Sequence, residues 1–305
     1  MSKIQLIGLK LPEVREGDNI AELILNALKR ANTKLEDGDI LAITSKILSK
    51  SMGLLYSIEK IKPSSKALKL ARKTGLDPRV AEIILRESDE IIVAIPFKKL
   101  VEEGIVDPEL LSKNYNRLFE ALKLYPTILI TRRDCSLWSD AGIDTSNHPP
   151  GMYSYPPRGL DYIAKKIHNQ IYSQAGVKVG IVVCDTELLP FGSLDIARGS
   201  YGVPATARKF GELDLYGKPK FGGADAIATS ICVAASLLMG QHSEGIPAVL
   251  VKGFRYEWDE SGISSITESI DLVRALAETI KHTVKVVGLR KLLSLLLRRS
   301  RHRCL

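Results

Sequence analysis

Apolar residues along the chain recur at two spacings, one typical of amphipathic helices and the other of buried strands. Residues 19–31 carry apolar side chains at intervals of three and four, which predicts a helix with Asp18 as its N-cap. The valine- and isoleucine-rich runs at 40–45 and 178–186 are short, and we predict them as buried strands. Helical and strand patterns alternate in this way, which favours a mixed α/β fold.

The remaining elements follow the same two spacings. Helices are predicted at 64–74, 79–88, 108–122, 160–174, 224–240 and 265–285. Strands are predicted at 91–96, 126–133 and 246–254. The proline-rich stretch 148–159 predicts irregular structure, and the glycine-rich stretch 187–222 has no clear period and predicts a long functional loop.

Composition places the chain among ordinary globular proteins. Its 305 residues are 45% hydrophobic and 26% charged, which argues against a disordered chain or a small disulfide scaffold. No apolar run approaches the roughly 20 residues that span a bilayer. The N-terminal residues lack the apolar segment of a signal peptide, so a cytoplasmic protein is expected.

The positive charge is concentrated at the C-terminus. Eight of the 43 basic residues follow Glu278, and no acidic residue does. The rest of the chain carries equal numbers of basic and acidic groups, so a broad nucleic-acid surface is not implied. Leucines and basic residues share 289–303, which predicts a terminal helix docked on its own domain or on a dimer partner. Contact with an anionic lipid or RNA surface is the alternative.

The four cysteines give no metal or redox motif. They are separated by 49, 48 and 72 residues, and no C-x-x-C pair occurs. We therefore predict free thiols, and no zinc site.

Candidate chemistry lies where predicted strands end. Asp144 and Asp185 follow strands, and Thr186 adds a hydroxyl, so the three could hold a hard cation such as Mg²⁺. An aspartate after a strand is also common as a turn or cap residue. Lys46 and Lys50 flank a short segment after the strand 40–45 and could bind phosphate, or could belong to a solvated face. The usual nucleotide-binding motifs are absent, including the P-loop and the Rossmann glycine pattern.

Several motifs, taken in order, carry a family resemblance. They are GDILAITSKILSKSMG (38–53), DAGIDTSN (140–147), VGIVVCDT (179–186) and LLMGQHSEGIPAVLVKG (237–253). Over roughly residues 4–255 the chain resembles the coenzyme F420-0:L-glutamate ligases. The resemblance implies a mixed α+β fold that is neither P-loop nor Rossmann, in a domain over 1–285 with an insertion near 101–125. A basic tail over 286–305 would follow.

The resemblance also implies a function. Members use GTP and a divalent metal to join L-glutamate to the carboxylate of a deazaflavin coenzyme precursor, and they form homodimers. Mg²⁺ or Mn²⁺ is the implied metal, with K⁺ as an optional further cation. The metal-site positions would be Asp144, Asp185, Thr186 and Gln241. The segment near the nucleotide would include Lys46, Ser49 and Lys50. No catalytic residue is assigned by this comparison.

The chain departs from the family pattern after Asp185-Thr186. The family has a Gly-Arg-Pro-Trp-Arg segment there, whereas this chain reads Glu-Leu-Leu-Pro-Phe at 187–191, leaving Arg198 as the only nearby arginine that could substitute. Asp140 stands where the family has asparagine. Two alternatives therefore stay open: a ligase or phosphotransferase of the same fold acting on another carboxylate, and a non-catalytic nucleotide-binding protein. The sequence does not distinguish GTP from ATP.

Overall fold

A computed structural model describes residues 3–189, 192–240 and 242–297. The strands in these ranges are β1 (Gln5–Leu9), β2 (Ile40–Thr44), β3 (Leu55–Ser57), β4 (Glu90–Ile95), β5 (Ile128–Arg133), β6 (Ser136–Ser139), β7 (Met152–Ser154), β8 (Gly180–Leu189), β9 (Gly192–Tyr201) and β10 (Ala248–Lys252). The helices are α1 (Ile20–Arg30), α2 (Ser45–Ser51), α3 (Ser65–Thr74), α4 (Pro78–Glu87), α5 (Phe97–Glu102), α6 (Pro108–Leu111), α7 (Tyr115–Leu124), α8 (Leu160–Ala175), α9 (Ile227–Met239), α10 (Ser264–Thr267), α11 (Leu272–Val287) and α12 (Leu289–Leu297). Short 3₁₀ turns occupy Ile58–Lys60 and Asp140–Gly142.

The central sheet has the order β1-β10-β2-β8-β9 and is mixed. Strands β2 and β8 are parallel, and the other neighbours are antiparallel. Mixed sheets with helices confirm the predicted α+β fold class.

Alternation along β2 and β8 divides the core between the two faces of this sheet. Leu41 and Ile43 pack with α1 and α8, whereas Ile40 and Ala42 pack with α9. Because both faces are covered by helices, every position in the middle of these strands is apolar. This is why the two runs show no polar alternation in the sequence.

A second, antiparallel sheet has the order β4-β5-β6. Val80 and Ile84 of α4 pack on one side of it, and Phe97, Val101 and Leu122 of α5 and α7 pack on the other side. A third sheet has two antiparallel strands, β3 and β7. The region predicted as an insertion, 101–125, contributes α6 and α7 to this second layer.

Several predicted boundaries are corrected. The N-cap of α1 is Asn19 rather than Asp18, because the Asn19 side chain accepts hydrogen bonds from the first-turn amides. The helix predicted at 108–122 is two helices, since Asn114 caps a new helix after a break. The helix predicted at 265–285 is likewise broken, and Asp271 caps its second part.

Two stretches predicted as irregular contain strands. The stretch 187–222 holds the whole of β9, which pairs with β8. The stretch 148–159 holds β7, which pairs with β3. Long-range pairing supplies the hydrogen bonds for both, and the sequence period shows only local pattern.

The prediction of four free thiols is wrong, because Cys184 of β8 and Cys232 of α9 form a disulfide. Both residues are buried where α9 covers the sheet. Cys135 remains a free, exposed thiol.

The C-terminal helices also differ from expectation. Leu289 and Leu293 of α12 are exposed, so these leucines are not docked on the chain's own domain. No helix within the described ranges is both long enough and apolar enough to cross a membrane.

Candidate functional site

A cavity of about 740 Å³ opens between the central sheet and the second sheet. It lies where the parallel pairing of β2 with β8 ends, at the register pair Thr44 and Cys184, while β8 continues to Leu189. The segments that line it are 11–14, 44–50, 139–147, 184–188 and 239–247, together with Asp195 and Ile128. The cavity therefore collects four of the motifs that the sequence singled out.

Asp185 lies at the strand end inside this cavity. Thr44 pairs with Cys184 in the sheet register, so Ser45, the first residue of α2, lies beside Asp185. The Ser45 hydroxyl donates a hydrogen bond of 2.6 Å to Oδ1 of Asp185. Burial raises the pKa of Asp185 to about 7, although the Ser45 hydrogen bond and the charge of Arg198 oppose this effect. A carboxylate in this position is poorly solvated and favours a nearby cation.

Asp144 also lines the cavity and lies beside a positively charged side chain. The Lys46 ammonium is 2.7 Å from Oδ2 of Asp144. The Ser146 amide donates to Oδ1 at 2.6 Å, and the Ser146 hydroxyl donates to Oδ2 at 3.0 Å. Burial alone would raise the pKa of Asp144, but Lys46 and Ser146 overcome it and leave the pKa below its usual value. Asp144 is therefore an ionised carboxylate.

Thr186 is the third predicted metal-site residue. It pairs with Asp195, which the sequence pattern did not indicate as a site residue. Thr186 and Asp195 are register partners in β8 and β9, and the Thr186 hydroxyl donates 2.7 Å to Oδ1 of Asp195. Asp195 is buried and lines the cavity. The sequence predicts a loop there, and no local pattern indicates Asp195, because its position is set by the pairing of β9 with β8.

The lysines of α2 lie one turn apart on the same cavity wall. Lys50 donates a hydrogen bond of 2.7 Å to the Asn147 carbonyl, and the Asn147 amide donates 2.7 Å to the His242 carbonyl. Ser49, on the inner face of the helix, is buried and donates to the Ser45 carbonyl. The structure thus brings Lys46 and Lys50 to the cavity and does not bring Ser49 there.

Gln241, the remaining predicted metal-site residue, lies outside the described residues. Its chain neighbours Gly240 and His242 both line the cavity.

Arg198 does not replace the two arginines that the family pattern has after Asp185-Thr186 and that this chain lacks. Its guanidinium binds Glu187 and lies 3.8 Å from the ring centre of Trp138. Glu187 also accepts hydrogen bonds from the amide and hydroxyl of Ser139, which joins β8 to β6. Arg198 is buried and is not among the residues that line the cavity.

Asp140 adds a further carboxyl group to the cavity wall. Burial raises its pKa to about 7, against the hydrogen bond of 2.9 Å from the Leu129 amide, and the charge of Glu187 raises it further. Burial thus favours the protonated form of the Asp140 carboxyl group.

Oxygen donors here suit a hard divalent cation. Asp144 and Asp185 are carboxylates on one cavity, and Thr186 adds a hydroxyl, which is the ligand chemistry that Mg²⁺ and Mn²⁺ accept. The Lys46 ammonium against Asp144 shows that a positive charge is stable at this point. Among the described residues, no three His, Cys, Asp or Glu side chains are grouped as a metal site.

Comparison with known proteins agrees with the motifs. The family model described as F420-0:Gamma-glutamyl ligase matches residues 8–253. The coenzyme F420:L-glutamate ligase of Methanopyrus kandleri is 35% identical over 248 residues, covering 80% of this chain and 84% of that protein. The ligase of the same name from Methanothermobacter thermautotrophicus is 36% identical over 258 residues, covering 84% and 90%. The one from Methanosarcina mazei is 33% identical over 262 residues, covering 85% and 89%.

These matches span most of the chain and include every segment that lines the cavity. The family match over residues 8–253 covers most of the chain, and the chain therefore belongs to the F420-0:gamma-glutamyl ligase family.

Proposed function

We propose that this protein is an amide ligase that adds L-glutamate to the carboxylate of coenzyme F420-0, using GTP and a divalent metal. The observation that carries the proposal is one cavity in which Asp144 and Asp185 face Lys46 and Lys50. Carboxylates for a metal and ammonium groups for phosphate are the two charge types that a nucleoside triphosphate needs. The names of the relatives supply the substrates.

The chemistry requires an activated carboxylate. A free carboxylate has no leaving group, so an amine does not displace its oxygen. In the proposed reaction a carboxylate oxygen of the precursor attacks the γ-phosphorus of GTP, the bond to the bridging oxygen breaks, and GDP leaves. The glutamate nitrogen then attacks the acyl carbon, loses a proton, and inorganic phosphate leaves as the amide forms.

The residues of the chain divide this work. Asp144, Asp185 and the Thr186 hydroxyl are the proposed ligands of Mg²⁺ or Mn²⁺, which when bound would neutralise triphosphate charge and orient the phosphates. Lys46 and Lys50 are the proposed phosphate contacts. Because Lys46 is bound to Asp144 in the structure, it must turn from the carboxylate to the phosphate when metal and nucleotide enter.

The test is turnover of the purified protein with GTP, Mg²⁺ or Mn²⁺, glutamate and the deazaflavin precursor. We expect a product heavier by one glutamate residue, with GDP and phosphate released. Asp144→Asn and Asp185→Asn should each lower turnover by at least about a hundredfold while the circular dichroism spectrum is unchanged. Glu120→Gln, which removes an exposed charge from α7, is the matched control and should retain full activity. Full activity in either aspartate variant would remove that residue from the site.

A second candidate is the same chemistry on another carboxylate. It is favoured by Arg198, which is held by Glu187 and Trp138 and leaves the cavity without the arginine that the family pattern supplies. If GTP and metal bind but the deazaflavin precursor gains no glutamate, this second candidate replaces the first. ATP in place of GTP in the same assay determines the nucleotide.

We also propose that the protein is a homodimer. Residues 207–225 form a projecting arm whose two sides are joined by backbone hydrogen bonds, including the one that the Lys209 amide donates to the Gly223 carbonyl. Leu215, Tyr216 and Phe221 on this arm are almost fully exposed. Apolar surface of this kind is typical of a protein interface. Sedimentation velocity of the wild type and of Tyr216→Ser with Phe221→Ser tests this, with a dimer expected for the first and a monomer for the second.

A further inference from the structure

The two C-terminal helices present an apolar stripe that nothing in the described chain covers. On α11, Val273, Leu276 and Ile280 recur at intervals of three and four, so they lie on one face of the helix. They are 45%, 40% and 59% exposed, respectively. Arg274, Lys281 and Lys285 fall on another side of the same helix. An amphipathic helix normally packs its apolar face on the body, and this one does not.

Helix α12 continues the pattern. Its sequence, LRKLLSLLL, places its leucines within one arc of the helix and Arg290, Lys291 and Ser294 within the other. Leu289 and Leu293 are exposed. Apolar and polar positions are thus segregated around the helical wheel of 289–297.

The charge of the chain after Glu278 has a single sign, and Glu278 itself pairs with Lys281 on α11. After Glu278 the sequence contains eight basic residues and no acidic one, half of them at 298–303 beyond the described residues. The family match ends at residue 253, so α11 and α12 lie outside the part of the chain that is shared with the ligases. The segment therefore has a composition of its own, and the ligase cavity does not use it.

We propose that residues 272–297 bind the surface of a membrane that contains anionic lipids, with α11 and α12 lying in the plane of the interface. A lipid surface offers both an apolar layer for the stripe and negative headgroups for the basic residues. RNA would engage the charges but would leave the leucines in water. A second copy of the segment would cover the leucines but would bring two positively charged helices together. Neither helix is long enough to span the bilayer.

The test compares two substitutions that add the same charge to opposite faces of α11. Ile280→Glu places a carboxylate in the apolar stripe, and Ala275→Glu places one on the far side of the helix. The full-length protein is sedimented with vesicles of phosphatidylcholine that contain phosphatidylglycerol, and with vesicles of phosphatidylcholine alone. Each basic residue near an anionic surface strengthens binding by roughly fivefold, so we expect binding to the first vesicles, weakened by salt.

Ile280→Glu should lower the fraction bound by about tenfold or more, because it removes apolar burial and adds repulsion. Ala275→Glu should lower it by less than about threefold. Arg290→Glu combined with Lys291→Glu should also weaken binding to anionic vesicles. Circular dichroism must show the same helix content in every variant, and ligase turnover in solution should be unchanged.

Three results would overturn the proposal. One is failure of the wild type to sediment with anionic vesicles at low ionic strength. Another is equal loss of binding in Ile280→Glu and Ala275→Glu, which would mean that the stripe is not inserted. The third is evidence for a different partner. A change in the sedimentation coefficient of the free protein with Ile280→Glu would assign the stripe to a contact within or between protein chains, and RNA binding without vesicle binding would assign the charge to RNA.

Discussion

Asp140 lies at the cavity wall. Its backbone has a left-handed conformation, and so has the backbone of Ala141 and Gly142. The φ angles of Asp140, Ala141 and Gly142 are 47°, 59° and 75°. A side chain at Gly142 would collide with Pro156 and with Trp138, each 2.7 Å from the added carbon, so only glycine fits there. Asp140 and Ala141 keep this conformation because the turn is held by bonds to the second sheet, among them the Leu129 amide to the Asp140 carboxyl group.

The raised pKa of Asp140 predicts a pH-dependent stability. A group whose pKa is higher in the folded protein takes up a proton on folding, so its stabilising contribution is present at low pH and is lost as the pH rises through about 7. A pKa of about 7 in place of 3.8 corresponds to about 4 kcal/mol of unfolding free energy. Asp140→Asn keeps the acceptor for the Leu129 amide and removes the charge, so it should be more stable than the wild type at pH 8 and equal to it near pH 4.

Urea unfolding of the wild type and of Asp140→Asn, in the presence of a chelator and between these pH values, measures the difference in unfolding free energy. Asp225→Asn removes the same charge from an exposed position and is the matched control. A parallel pH dependence of unfolding in the wild type and in Asp140→Asn would contradict the prediction.

At the scale of elements, β8 is the strand on which the site depends. It pairs with β2 through its first half and with β9 through its whole length, so it places Asp185 beside Ser45 and Thr186 beside Asp195. Residue 184 of the same strand is joined covalently to α9. Helix α9 ends at Met239, the first residue of the cavity segment 239–247. Strand and helix are therefore linked covalently at the base of the cavity.

The disulfide predicts a measurable stabilisation of this unit. It closes a separation of 48 residues, for which loss of chain entropy in the unfolded state gives about 4 kcal/mol. Guanidinium unfolding of the wild type should shift to lower denaturant when a reductant is added. The variant Cys184→Ala with Cys232→Ala should show no such shift, and Cys135→Ser should behave like the wild type because Cys135 is a free thiol. A wild type insensitive to reductant would show that the bond does not form.

Across the whole molecule, the described core ends before the last two helices. The core clusters of the two sheets are built from residues before α10, with only partly buried side chains such as Ile263 added after 260. Val273, Leu276, Ile280, Val286 and Val287 of α11 are exposed. We retain as a proposal the division into a ligase domain over 1–285 and a basic tail over 286–305, although α11 runs through that boundary to Val287.

Truncation after Gly288 tests this division. Because no core cluster includes α12, we expect the truncated protein to keep its melting temperature and to retain ligase turnover within a few-fold of the full chain. Its binding to anionic vesicles should fall, since six of the eight C-terminal basic residues are removed. Loss of turnover with an unchanged melting temperature and oligomeric state would show instead that the tail belongs to the active site.

The sequence by itself determined the mixed α/β class, the positions of β2 and β8, and the candidate residues Asp144, Asp185, Lys46 and Lys50. These signals are local: a short apolar run bounded by polar residues predicts a strand, and a polar residue directly after it predicts a position at the sheet edge. The family motifs added the chemistry. The local pattern was sufficient to predict an element wherever its apolar residues are spaced so that they are buried together.

Only the tertiary structure decided which side chains meet. The pairing of Thr186 with Asp195, the capture of Arg198 by Glu187, the burial of Ser49 and the bond between Cys184 and Cys232 all join residues through sheet register or helix packing. Strand β9 was missed for the same reason, because its hydrogen bonds come from β8 and not from its own sequence period. Register and packing depend on contacts between distant segments, and a one-dimensional pattern does not contain them.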